Sequence, residues 1–152
     1  MQNSAKKDLL EEIKAANDFG AAINVILKQL HYTQREIAEI GGFSPKTISK
    51  IINHYDLKIK SVTAYRIVTS LFCSIEISEV LLNKAGIHWC NTLVSNVYYE
   101  ILTYISGHIP DNKIFITDYD KKIYLSEKIN DLIVDSFEDK NFIQICKLKT
   151  LK

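Results

Sequence analysis

Apolar residues recur at spacings of three and four along most of the first 106 positions, the pattern of amphipathic helices. Leu9, Leu10, Ile13 and Ala16 predict an N-terminal helix over 6–17. Asp18 is placed to cap a second helix over 19–30, with Ala22, Ile23, Ile26, Leu27 and Leu30 on its apolar side. Two shorter helices follow around Gly41 and Gly42. Thr33 and Glu36 have capping-box spacing at the start of the first, in which Ile37 and Ala38 point inward. Ser44 caps the second, and Pro45 takes its first helical position, where a missing N–H costs nothing. Residues 55–60 read as a loop. Ser61 is expected to cap a helix reaching 72, with Ala64, Ile67, Val68 and Leu71 inward, and another helix over 76–85 ends at Gly86.

Residues 92–106 carry Leu93, Val94, Val97, Ile101, Leu102 and Ile105 beside three tyrosines, and Gly107 and Pro110 close the segment. Its apolar surface is wider than the roughly 100° stripe a helix on a small core needs. A second subunit is the favoured cover; residues 114–148 are the alternative. Beyond 110 the period changes. Ile114-Phe115-Ile116 and Ile123-Tyr124-Leu125 are short β-favouring runs that predict a hairpin, with a continuous helix as the competing reading. Ser126 and Glu127 then open a helix to about 137, and residues 142–148 alternate loosely as a final strand.

The helix from Pro45 to Asn53 has a distinctive outer face. At about 100° per residue, Ile48, Ile51 and Ile52 cluster on one side. Lys46, Ser49, Lys50 and Asn53 fall opposite, with Pro45 and Thr47 on the flanks. No acidic residue lies between Ser44 and Asn53. An ordinary surface helix mixes both signs of charge, so this face fits phosphates and base edges better than plain solvent. Two short helices around a glycine turn, the second polar and basic outside, are the pattern of a helix-turn-helix that enters the major groove of DNA.

Residues 23–87 resemble the helix-turn-helix domain of Cro and lambda-repressor-type regulators. The resemblance rests on Thr33-Gln34, Ile37-Ala38-Glu39, Gly42-Phe43-Ser44 and Thr47-Ile48-Ser49. Gly41 departs from it, standing where the family carries an apolar residue, and Ile40 or Phe43 is expected to fill the space. The resemblance implies a five-helix core, phosphate contacts from Gln34, and base reading by the start of the second motif helix. The expected DNA-contacting set is Thr33, Gln34, Ser44, Pro45, Lys46, Thr47, Ser49, Lys50 and Asn53. The fold class is therefore mainly α. A lambda-repressor-like domain with an extra N-terminal helix is expected over 1–87, and a helical or α+β extension for dimerisation or sensing over 88–152.

Charge changes this picture only in its distribution. The net charge is +1, but residues 20–60 hold an excess of +3, so the positive surplus lies on the motif. So small a surplus favours two copies on adjacent half-sites. A hydrophobic content of 47% supports a core, and the longest apolar runs fall far short of the roughly 20 residues that cross a bilayer. Cys73, Cys90 and Cys146 lack C-x-x-C spacing and read as reduced, mostly buried thiols of a cytoplasmic chain. His31, His54, His88 and His108 are scattered, and the nearest approach to a metal site is His88-Trp89-Cys90 with His108 or Cys146. No glycine-rich phosphate loop occurs. No metal, no cofactor and no catalysis are expected.

The resulting expectation is a transcriptional regulator, a repressor, binding double-stranded DNA as a homodimer on a pseudo-palindromic operator. One alternative is a protein-interaction module such as an antitoxin. The other is a sensor whose tyrosine-rich C-terminal segment takes a protein or small-ligand effector.

Overall fold

In a computed structural model of the chain, residues 2–41, 43–53, 58–111 and 113–137 are described. Among them are eight helices and no strand: α1 (Gln2–Ala15), α2 (Phe19–Leu30), α3 (Gln34–Gly41), α4 (Pro45–Asn53), α5 (Ser61–Ser70), α6 (Ile75–Lys84), α7 (Leu93–Ser106) and α8 (Tyr119–Phe137). The mainly helical class is the one the periodicity predicts.

α1, α4 and α6 pack on α2. Its Ala22, Ile23, Ile26 and Leu27 are buried, on the face their spacing predicts. Asp18 caps it as expected, its Oδ1 accepting from the Ala21 amide at 2.8 Å. At the other end His31 takes a left-handed conformation (φ 57°), and the Tyr32 amide closes the helix on the Leu27 carbonyl at 3.0 Å. α1 buries Leu9 and Ile13 and is stopped from outside: Lys84 of α6 donates to the carbonyls of Lys14 (2.8 Å) and Ala16 (2.7 Å). A cation at a helix C-terminus satisfies both the free carbonyls and the dipole.

Backbone approaches backbone closely at Gly20. A methyl group there would collide with the carbonyl of Ile51 and lie 2.9 Å from Cα and 3.0 Å from the carbonyl oxygen of Ile52. The first turn of α2 thus lies directly on the backbone of the last turns of α4. A glycine inside a helix costs up to about 1 kcal/mol relative to alanine, and close packing is what repays it.

Elsewhere the expectations need correction. Ser61 does not cap α5; Lys60 holds the cap position and makes no side-chain cap bond. The serine that caps is Ser74, on α6, whose Oγ accepts from the Ile77 amide at 3.4 Å. Leu93, counted on the apolar side of its helix, is 59% exposed. Thr92 caps α7, and Val97, Tyr98, Ile101, Leu102 and Ile105 are buried where α7 meets α5, α6 and α8. That face is covered within the chain, so its width is no argument for a second subunit.

The hairpin over 114–125 does not form. Ile114, Phe115 and Ile116 are buried, but they pair with the turn after α5. The Ser74 amide donates to Ile114 O and the Ile116 amide to Phe72 O, both at 2.9 Å, around an antiparallel Cys73–Phe115 bridge. Phe72 reaches this turn at φ 51°, a left-handed conformation that costs a bulky residue about 1–2 kcal/mol. Ile123, Tyr124 and Leu125 belong instead to α8, which begins before the predicted start at Ser126. Asp118 caps it through bonds from the Asp120 (2.9 Å) and Lys121 (3.4 Å) amides. Ser126 lies mid-helix, donating back to the Lys122 carbonyl at 2.7 Å. The strand expected over 142–148 lies outside the described residues.

Cys73 is fully buried beside Ser78, and burial pushes its thiol up to about 11. Cys90, by contrast, is exposed, against the expectation of mostly buried thiols, and Cys146 lies outside the described residues. Among the described residues no helix is long and apolar enough to cross a membrane, and no three His, Cys, Asp or Glu side chains group as metal ligands.

Gly20→Ala should force α2 and α4 apart. Overpacking against backbone predicts a loss of about 1–3 kcal/mol, read as a lower urea midpoint; an unchanged midpoint would show that the contact is looser than it looks.

Candidate nucleic-acid interface

α3 and α4 pack on each other, separated by residues 42–44. The capping box that opens α3 is formed: the Glu36 amide donates to Thr33 Oγ1 at 3.1 Å, and the Thr33 amide donates to Glu36 Oε1 at 3.3 Å. The Thr33 hydroxyl donates to the same carboxylate at 3.1 Å. Ile37 and Ala38 are buried below, and the Ala38 carbonyl accepts the Phe43 amide at 2.7 Å where the chain turns toward α4.

Ser44 opens α4, its Oγ accepting from the Thr47 amide at 3.1 Å and lying 2.9 Å from Thr47 Oγ1. Ile48 and Ile51 are buried and Ile52 half-buried, so the side predicted to face inward does so. Ser44, Pro45, Lys46, Lys50 and Asn53 are exposed, and Thr47 and Ser49 half-buried. Asn53 Nδ2 donates to Ser49 Oγ at 3.1 Å, one turn back. Thr33 is exposed and Gln34 half-buried at the start of α3. α4 therefore carries seven of the nine predicted residues on one short helix and its cap, with Thr33 and Gln34 on the neighbouring helix start.

Arg66, Tyr32 and Lys122, which border this surface, carry no motif signal. Phe43 packs half-buried against the core, and the Arg66 guanidinium of α5 lies 4.7 Å from the centre of its ring. A cation from a distant helix thereby borders the turn into α4. Tyr32, next to the capping box, accepts a short hydrogen bond from Lys122 of α8, 90 residues away. Lys122 is 4% exposed, and its ammonium sits 4.6 Å from the Tyr32 ring centre and 5.9 Å from that of Phe72. Burial lowers its pKa to about 8, so it is still mainly protonated at neutral pH. Burial, and then the Glu36 carboxylate, raise the Tyr32 phenol above its ordinary value. For Lys122 the only available cue was position: it lies three, four and seven residues before Leu125, Ser126 and Ile129 on the buried stripe of α8.

Comparison of the chain with protein-family models, curated proteins and solved structures finds no match.

The Lys122 site makes a pH prediction. Its folded pKa, about 8, lies below its ordinary 10.5, so between these values the unfolded chain binds more protons and stability rises with pH. Tyr32 works in the opposite sense only above about 10. The urea midpoint should therefore rise between about pH 8 and 10 relative to a Lys122→Met variant. Parallel pH profiles for the two proteins would contradict this.

Proposed function

We propose that the chain is a sequence-specific DNA-binding transcriptional regulator of the lambda-repressor-like helix-turn-helix kind, in which α4 enters the major groove. The observation that carries this reading is the outward face of α4: Lys46 and Lys50 exposed, Thr47, Ser49 and Asn53 beside them, and no acid from Ser44 to Asn53. The buried Ile48 and Ile51 leave that face no alternative inward orientation. Five consecutive helices, α2 to α6, correspond in number to the core that the resemblance implies, and α1 is the extra N-terminal helix. In this reading Gln34 and Asn53 hold phosphates while Lys46 and Thr47 approach base edges. Thr33 and Ser44 fix the two helix starts, Pro45 presets the second, and Ser49 orients Asn53.

The regulator acts in the cytoplasm, as a repressor and a homodimer. Two copies of α4 held at fixed separation would engage successive major-groove faces of a pseudo-palindromic operator. Leu93, Tyr99 and Tyr124, 59%, 46% and 51% exposed on α7 and α8, supply apolar surface for pairing.

Selection of bound sequences from random DNA tests the assignment. The wild-type chain should yield a preferred site, and the Lys46→Ala/Thr47→Ala double variant should relax it, each good base contact being worth about 1–3 kcal/mol of discrimination. An unchanged preference removes these residues from base reading. Light scattering tests the assembly: the full chain at micromolar concentration should have twice the monomer mass, and Tyr99→Glu should lower it. A monomer both free and on DNA would remove the dimer.

A further inference from the structure

A pocket of about 230 Å³ opens where α6 gives way to the segment leading into α7. Its shape is set by backbone. Gly86 takes φ 73°, and the Ile87 amide returns to the Leu82 carbonyl at 2.9 Å, folding residues 87–89 back over the last turn of α6. Leu82 and Ile87 are its buried apolar base, while Glu79, Asn83, His88 and Trp89 supply the remaining lining. Trp89 is held in place by Tyr65, stacked at 5.4 Å and 3°, and by Tyr99, edge-on at 5.1 Å and 89°.

The lining carries one carboxylate, that of Glu79, and no Lys or Arg. Asn83 Oδ1 and His88 Nδ1 lie 3.1 Å apart, so the two polar side chains are paired at the rim. Trp89 adds an electron-rich indole. The adjacent Lys84 is committed to the carbonyls that end α1. An occupant with a positive charge for Glu79 and a short hydrocarbon part for Leu82 and Ile87 complements this lining. The volume is below the roughly 300–1,000 Å³ of drug-sized sites, so the occupant is small.

We propose that this pocket binds a small organic amine, its ammonium on Glu79 and its hydrocarbon part against Leu82, Ile87 and Trp89. The site uses residues of α6 and the segment after it, and stands whether or not α4 reads DNA.

Trp89 is the only tryptophan of the chain, so its fluorescence reports the pocket directly. Titration of the full chain with butylamine and phenethylamine should give a saturable change with a Kd of roughly 1 mM or tighter. Butanol and butyrate, matched in size but lacking the ammonium, should give none. Glu79→Gln, an exposed substitution, should weaken amine binding at least about tenfold, the loss of one charge-assisted hydrogen bond. Glu76→Gln, on the same helix but outside the pocket, should bind as wild type does. No saturable response to either amine, an equal response to butanol or butyrate, or full affinity in Glu79→Gln would each overturn the proposal.

Discussion

The backbone of α4 rests against the first turn of α2, and residue 20 has no side chain to keep them apart. That contact sets how closely α4 approaches α2. A nine-residue helix is too short to persist by its own hydrogen bonds, so α4 exists because Ile48 and Ile51 are buried and its N-terminus is capped. The depth at which its inner face is buried sets how far its lysines project. A side chain at 20 would move α4 as a rigid piece and carry Lys46, Thr47 and Lys50 with it.

The later helices hold that arrangement from behind. One hydrophobic cluster runs from Leu9 of α1 to Ile129 of α8 without a break at residue 87. Its most expensive element is the turn after α5, where Phe72 adopts a left-handed conformation so that its carbonyl meets the Ile116 amide. The same Phe72 ring lies beside the Lys122 ammonium, which reaches on to Tyr32 at the start of the α3 capping box. The buried Lys122 cation is tolerated here because two aromatic rings and a phenol oxygen replace part of its hydration.

What could be read from the sequence followed from how local each signal is. Asp18, the Thr33–Glu36 pair and Ser44 are caps whose chemistry acts within three residues, and all three form, whereas Ser61, read in the same way, does not cap α5. The α4 face was legible for the same reason: nine residues with three isoleucines on one side leave little freedom. The hairpin misled because α8 hides its period, two of the four positions at 122, 125, 126 and 129 being Lys and Ser although all are buried. The run at 114–116 pairs only through the isolated Phe115 bridge, and its partner at 72–74 is some 40 residues away, a pairing that local pattern cannot name. Gly20 offered a faint signal, a glycine among strongly apolar helical neighbours, while the Arg66–Phe43 contact offered none.

The polar groups of the α4 face are already engaged with one another, and this shapes how the proposed reading would work. Thr47 is bonded to Ser44, and Asn53 to Ser49. These bonds hold the side chains in fixed rotamers at little cost in further ordering when a partner arrives. They do not exhaust them. A hydroxyl has one donor and two acceptor sites, so Thr47 can keep Ser44 and still meet a base edge; the Asn53 amide retains a second N–H for a phosphate. Lys46 and Lys50, long and exposed, supply the charge that the small polar groups lack. Affinity and discrimination would then reside in different side chains of one helix, the first falling steeply with salt and the second set by the rotamers that Ser44 and Ser49 hold.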